Sequence, residues 1–552
     1  MRIIFFVIFF FQAFHAVSAE QEENVGIDLA YKNALKPLEI EALQGETVYY
    51  WFEYENSTDT DQSYHFSMSD ASDVDNESDV AVELKHLLAW YKDSNAKKSI
   101  HHGRGRILVD ELLVNDPEII NVDKHKKNNS IRFEISGKTK YLSEEALEEF
   151  PQGKDGRIRM NAEKYYIADS KVFLSRNLKS GERKKLLVTF KVDDNAISEN
   201  KHLQLIMTST SGDTRLPITL TIKPYKIVRP PLEYSVFYRG LLDTLGNTVS
   251  SERKTASQLS HEFKHIASAS YVNPVIYQSV KSGREFRAYM DYRKQYLPSN
   301  EKYYFTDTKI IRLVKSGNIG ALDKALKKIK KILGDLPAVF MIDDEPRGDQ
   351  VKTRMAMHEV FDRYGFEVFV TGRVENFSSK ILANTTYVLA YDLNEGAIAK
   401  IREDEGTVFS YANPQVGVID PASIRFNYGL NLLKNNFDGA MLYAYQDSRG
   451  SVWSDFDGRY RDHMFSYPTS DGILNTVSWI AFHQGIMDAG YYQALQNSAG
   501  QLASSQCVNE QLFDEVTSLL ADLSKIQKGH EDVYRQQIRI KIDKANRASK
   551  EC

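Results

Sequence analysis

From Gly26 to Pro231 apolar and polar residues alternate in short runs. ETVYYWFEY, SIRFEI, KKLLVTFKV, KHLQLIMTS and LPITLTIKPY carry the period-two pattern of half-buried strands. Polar turns such as Asn128-Asn129 and Ser211-Gly212-Asp213 separate them, and helical periodicity is sparse. The pattern predicts an antiparallel β-sandwich. Residues 54–80, rich in Ser, Asp and Asn, read as a long surface loop within it. Pro230-Pro231 marks a stiff linker and a domain boundary.

After Pro231 the rhythm changes. EYSVFYRG, NPVIYQ, KYYFTD, AVFMIDD, FEVFVTG, TTYVLAYD, GTVFSYANPQ and DGAMLYAYQ read as strands with helical material between them. In ALDKALKKIKKILGDLP, Leu322, Leu326, Ile329 and Leu333 form one apolar helical face, and Gly334 fits the stop. The lysines of that helix read as a solvated outer face. Eight strands alternating with helices over roughly 250 residues is the size of a (β/α)8 TIM barrel. The expected domains are a β-sandwich over 20–231, a catalytic barrel over 232–495 and a charged C-terminal helical segment over 496–552.

At the N-terminus Arg2 precedes an apolar run, Ile3 to Phe11, and Val17-Ser18-Ala19 precede an acidic start. This is the pattern of a secretory signal peptide, residues 1–19, cleaved after Ala19. No second apolar stretch approaches a membrane span. The expectation is an exported protein, periplasmic or extracellular. Cys507 and Cys552 are the only two cysteines, too few for a disulfide framework, and the sequence leaves open whether they pair. A formal net charge of −5, without a basic cluster interleaved with aromatics, gives no sign of a nucleic-acid partner. Aromatic residues make up 11% of the chain, which suits a sugar ligand as well as it suits barrels and sandwiches.

Candidate chemistry centres on AVFMIDDEPRGD, Ala338 to Asp349. Its apolar run predicts the fourth barrel strand, so Asp343, Asp344 and Glu345 fall at the strand's C-terminal end, where barrel enzymes carry their chemistry. Adjacent carboxylates there can divide the work of glycoside hydrolysis. One stays ionised as a stabiliser, and the other is held protonated as the acid. The plainer alternative is an acid pair at the N-terminus of the next helix. Other strand ends offer Arg239, Tyr277-Gln278, Tyr391-Asp392, Asn413 with Gln415, and Tyr443 with Tyr445. Rings stack on sugar faces, while amides and arginine fix hydroxyls. The stretch GSVWSDFDGRYRDHMFSYPTSDGI after the eighth strand supplies Trp453 and Asp455 in a long aromatic-rich loop. Asp455 and Asp457 lack the spacing of an EF-hand. HEFKH, His261 to His265, matches the zinc pattern H-E-x-x-H. However, Ser268 and Tyr271 stand where the longer motif needs its further residues, and Glu285 has no support as a third ligand. The reading assigns no metal and no cofactor.

The order of these motifs carries a resemblance. A sandwich is followed by YSVFYRG, NPVIYQ, FMIDDEP and DGAMLYAY, then a Trp/Asp loop and DGILNTVSWIAFHQGIMDAGYY. In this the chain resembles the glycoside hydrolase family 123 type, the β-N-acetylgalactosaminidases and their relatives, over most of the expected mature chain, about Arg106 to Leu495. The resemblance implies a β-sandwich on a catalytic barrel. It also implies substrate-assisted catalysis, in which the sugar's own 2-acetamido oxygen attacks the anomeric carbon. On the matching positions Asp344 would orient the acetamide nitrogen, and Glu345 would be general acid and then base. A rim tyrosine, Tyr391 or Tyr445, would hold the acetamide oxygen. Two positions depart from the pattern. AFHQG stands where relatives more often carry an arginine before the glycine, and GIMDAGYY lacks a second acid.

The leading expectation is therefore an exported, retaining β-N-acetylhexosaminidase that prefers N-acetylgalactosamine and acts on a glycan. Catalysis falls to Asp344 and Glu345. Substrate binding falls to Arg239, Tyr277, Gln278, Tyr391, Asn413, Tyr445, Trp453 and Asp455. Alternatives of the same fold are a glycosidase on sugars without an acetamide, with Asp392 or Asp455 as the second carboxylate, and a non-catalytic carbohydrate-binding protein.

Overall fold

The computed structural model describes residues 27–28, 37–70, 79–93, 105–153, 156–243, 248–297, 302–347, 349–373, 377, 384–390, 395–411, 420–457, 461–504 and 509–551. The expected signal peptide, Tyr391, Asp392, Asn413, Gln415 and both cysteines lie outside the described residues.

The N-terminal part is a sandwich of two sheets. One is built on Thr47–Glu55, Arg183–Val192, Val80–Asp93 and Arg106–Val114. The other is built on Gln62–Asp70, Asn200–Ser209 and Gly212–Lys226. Pairing is antiparallel except at the edges, where Leu38–Gln44 and Ile27–Asp28 add parallel strands. Alternate residues such as Phe52, Phe66, Val188 and Ile218 fill the space between the sheets. The stretch expected as a loop over 54–80 contains the strand Gln62–Asp70. Ser63, Ser67 and Ser69 sit on the outward phase of the strand, opposite Tyr64 and Phe66, so their polarity masked the pattern.

The barrel strands are Glu233–Tyr238, Val272–Ile276, Tyr303–Phe305, Ala338–Asp344, Glu367–Gly372, Thr385–Leu389, Thr407–Ser410 and Gly439–Asp447. All pair in parallel with their neighbours, and the eighth closes on the first, Glu233 opposite Gly439. Each of the eight runs picked out by pattern is one of these strands. Phe237, Val275, Tyr304, Met341, Phe369 and Phe409 fill the interior. Residues of opposite parity, such as Phe340, Val368 and Leu442, meet the surrounding helices.

The chain that leaves the barrel extends a sheet of the sandwich. After the eighth barrel strand the chain returns as Ser466–Pro468 and Ile473–Thr476, and Asn475 pairs with Leu113 of the sandwich. The helix Val477–Ser504 follows, crossing residues 495 and 496 without a break. Helices Glu510–Ala521 and Glu531–Glu551 pack on it. A buried ion network ties these helices down. Arg425 and Arg535 both bind Asp488, and Arg535 reaches Glu46 of the sandwich. Among the described residues no helix is long and apolar enough to cross a membrane.

Candidate active site

The fourth barrel strand begins with regular alternation. Val339 and Met341 face the interior, and Ala338, Phe340 and Ile342 face the helices. The ladder with the fifth strand then shifts. Met341 is opposite Phe369, but Asp343 is opposite Val370 and Asp344 opposite Thr371, so Ile342 is an extra residue. A bulge of this kind re-aims every side chain beyond it. Without it Asp343 would share the inward phase of Met341. With it Asp343 shares the outward phase of Val370, and Asp344 takes the inward phase at the barrel mouth.

The two aspartates accordingly have different surroundings. Asp343 is buried and gripped by Arg354 Nε and Lys315 Nζ, each at 2.8 Å. It also accepts the backbone N–H of Asp344 at 2.8 Å. Asp343 is thus a clamp between the strand end and the helices beside it. Asp344 and Glu345 are exposed. Thr371 donates its hydroxyl to Asp344 Oδ1 at 2.7 Å. Among the described residues Asp344 Oδ2 accepts no hydrogen bond and the Glu345 carboxylate is in no ion pair. Glu345 has φ of +47°, and its N–H is held by Thr371 O at 3.1 Å. A non-glycine residue in that region costs about 1 kcal/mol or more, and such residues cluster at functional sites.

Across the mouth lies a second group. Arg239, at the end of the first strand, stacks on Tyr277, with its guanidinium carbon 5.2 Å from the ring centre. Its Nη1 donates to Tyr443 Oη at 3.3 Å, Nη2 to Glu252 at 2.9 Å, and Nε lies 3.2 Å from Asp447. Tyr443 in turn donates to Asp447 Oδ2 at 2.5 Å. Arg157, carried in from the sandwich side, reaches Asp447 Oδ1 at 2.5 Å. Burial pushes the Asp447 carboxyl up, but Arg239 and Arg157 outweigh it and hold the pKa below the ordinary value. The Tyr277 hydroxyl is pushed up, first by burial, with the charges of Asp447 and Asp344 adding to it.

The remaining candidates divide by location. Gln278 is buried, accepting from Leu242 N at 2.9 Å and donating to Ser282 at 3.0 Å, so its amide is occupied in the wall. Tyr445 is fully buried on the helix side of the barrel, 2.9 Å from His265 Nδ1. The ladder between the first and eighth strands skips between Leu442 and Gln446, which turns Tyr443 inward and Tyr445 outward. Trp453 is also fully buried, stacked on Tyr467 at 5.5 Å in the seam between sandwich and barrel. Asp455 is buried there too. It accepts Asp93 N at 3.0 Å and Asp462 N at 2.7 Å and lies 3.5 Å from Lys92. Neither Trp453 nor Asp455 presents a surface to a ligand, because the loop that carries them is covered by the sandwich, and Tyr445 is enclosed by the helices.

The HEFKH motif is split across its helix, Ala256–Ser268. His261 faces outward, bonded to Ser257 O, while His265 lies against Trp479 at 4.8 Å. Glu262 is fully buried and paired with Lys254 at 2.7 Å. Among the described residues no group of three or more His, Cys, Asp or Glu side chains could hold a metal ion.

Pattern reading missed Thr371, Asp447, Glu252 and Arg157 as members of the mouth. Glu252 and Arg157 lie in connections with no periodic signal. Asp447 closes the eighth strand, and its place at a strand end was a usable cue.

No family model matches this sequence, and no curated protein matches it. Its structure is similar to that of a family 123 glycoside hydrolase from Clostridium perfringens, solved in work on glycolipid glycan hydrolysis. The TM-score is 0.56 at 10% identity, over 94% of this chain and 95% of that one. A Bacteroides fragilis protein described as a beta-galactosidase aligns over 53% of this chain and 50% of its own at 10% identity, with a TM-score of 0.28 that carries no argument. The chain thus has the fold of the family 123 enzyme, a sandwich on a closed parallel barrel with C-terminal helices.

Proposed function

We propose that this chain is a glycoside hydrolase, and within that class an exported, retaining β-N-acetylhexosaminidase that prefers N-acetylgalactosamine. The observation that carries the reading is the bulge at Ile342, which presents Asp344 and Glu345 side by side, exposed, at the C-terminal mouth of a barrel with a glycosidase fold. Two adjacent carboxylates on one strand end are too close to flank a sugar as nucleophile and acid, so the nucleophile belongs to the substrate. In this scheme the acetamide oxygen attacks the anomeric carbon. The glycosidic bond breaks, and Glu345 gives its proton to the leaving oxygen. Asp344, with Oδ1 fixed by Thr371, accepts the acetamide N–H on Oδ2 and offsets the positive charge of the oxazolinium ion. Glu345 then takes a proton from water, which opens the ring with retention. The tyrosine for the acetamide oxygen falls to Tyr391, because Tyr443 spends its one hydroxyl proton on Asp447. Arg239 and Tyr277 supply a wall against which the ring can lie.

The test is hydrolysis of aryl β-glycosides of N-acetylgalactosamine, N-acetylglucosamine, galactose and glucose, with Glu345→Gln as control. Turnover confined to the acetamido sugars and lost in the variant supports the scheme. Turnover of galactose or glucose overturns substrate assistance.

A further inference from the structure

The chain is acidic overall, with formal net charge −5. Residues 280–334 are not. They hold fourteen Lys and Arg against five Asp and Glu, a local balance of +9. The structure folds this stretch into five elements, of which the helix Arg284–Tyr296 and the barrel strand Tyr303–Phe305 are two and the other three carry a basic band. The turn Val280–Ser282 follows the second strand, the helix Thr308–Ser316 follows the third, and the helix Ile319–Leu333 runs down the flank. On the flank helix Lys324, Lys327, Lys328 and Lys331 are spaced as one face, and all four are exposed. Lys309 and Arg312 are exposed on the rim helix, and Lys281 is exposed on the turn.

These cations are poorly compensated. The ion pairs in this stretch among the described residues use Lys302, Lys315 and Lys330, and Asp323 is engaged by Arg363. Asp307 spends its carboxylate capping the rim helix through Lys309 N and Ile310 N. Three cations from three elements converge. Burial, together with the charges of Lys309 and Lys328, pushes the Lys281 pKa down, although Asp307 acts in the opposite sense. Such a crowd of like charges is costly unless an anion relieves it.

The band begins on the helix side of the strand that carries the candidate acids. Lys315, the last cation of the rim helix, pairs with Asp343, the residue before Asp344. We propose that the substrate is an anionic glycan, a polymer carrying carboxylate or sulfate groups, whose length beyond the scissile bond lies along this basic band. The proposal rests on the glycosidase reading for its occupant, and its charge complementarity is independent of the catalytic scheme. A row of ammonium groups recurring along one helix face fits a chain with anions at regular intervals, and the acidic remainder of the surface repels such a chain elsewhere.

The experiment uses the full chain and the triple variant Lys324→Gln/Lys327→Gln/Lys328→Gln, whose positions are exposed and outside the site. Retention is measured on immobilised chondroitin sulfate, on chemically desulfated chondroitin and on neutral dextran, and binding to phosphatidylglycerol vesicles is measured separately. The expected result is salt-sensitive retention on chondroitin sulfate, about tenfold weaker in the variant, with aryl-glycoside turnover unchanged between the two proteins. Retention on desulfated chondroitin as well identifies carboxylate as sufficient, and its loss identifies sulfate. Equal retention of both proteins, equal retention on dextran, or binding to the vesicles alone overturns the proposal. Failure of both proteins to turn over aryl glycosides sinks the glycosidase reading and is read separately from retention.

Discussion

Thr371 donates its hydroxyl to Asp344 Oδ1 at 2.7 Å, from a residue that is itself fully buried on the neighbouring strand. The bond fixes one oxygen of an exposed carboxylate and leaves the other toward the mouth. Thr371→Val keeps the β-branched shape and removes only the donor. A hydrogen bond to a charged group is worth about 1.5 kcal/mol or more, so kcat/KM on an acetamido aryl glycoside should fall about tenfold or more. The melting temperature should move little, because Asp344 can turn to water. An unchanged kcat/KM would remove Thr371 from the site.

Glu345 occupies the left-handed region at φ +47°. If that strain serves catalysis, relieving it should raise stability while activity is absent. Glu345→Gly and Glu345→Ala both delete the carboxylate, but only glycine adopts this conformation freely. The glycine variant should be more stable than the alanine variant by about 1 kcal/mol in urea unfolding. Equal stabilities would mean that the strand end relaxes and stores no strain.

The contrast between Asp343 and Asp344 shows where pattern reading stops. The eight strands were legible because each is a buried run bounded by turn residues, and the acids at the fourth strand's end were legible by composition alone. Which acid faces the mouth was not. Counting by twos from Met341 selects Asp343, and only the extra residue Ile342 reverses the answer. The same arithmetic places Tyr443 and Tyr445 on one face, and the break between Leu442 and Gln446 separates them. Trp453 and Asp455 were drawn toward the site by their residue types. Their burial follows from a pairing between Ile473–Thr476 and Arg106–Val114, more than three hundred positions apart in the chain, which no local pattern carries.

Glu262 gives a direct contrast between a metal motif and a buried ion pair. It accepts from Lys254 Nζ at 2.7 Å and from Tyr238 Oη at 2.5 Å, with Lys254 also donating to Gln446 at 2.5 Å. Deleting one partner of a fully buried pair strands the other charge, at about 3 to 5 kcal/mol. Glu262→Ala should lose that much in urea unfolding, and a chelator should leave both activity and stability of the unmodified chain unchanged. Loss of activity on chelation would revive the zinc reading of HEFKH.

Two buried groups should tilt the pH dependence of stability in opposite directions. Burial pushes the His483 pKa down to about 3, and Tyr49 Oη lies 2.6 Å from its Nδ1. In the unfolded chain a histidine titrates near 6.5. Between those values the unfolded state binds a proton that the folded state refuses, so this residue lowers stability as pH falls from about 6.5 toward 3. His483→Gln removes that slope. Its stability deficit relative to the unmodified chain should narrow by about 2 kcal/mol between pH 7 and pH 5. Burial pushes Asp457 the other way, up to about 7, and its Oδ1 has no partner among the described residues. Its unfolded value is near 3.9, so its stabilising effect is complete below that value and is lost as pH rises through about 7. Asp457→Asn, which stands in for the protonated carboxyl, should therefore gain on the unmodified chain as pH rises from 4 to 7. Urea midpoints at pH 4.5, 5.5, 6.5 and 7.5 for the three proteins would check both slopes. Parallel lines would show that neither group titrates differently in the folded and unfolded states.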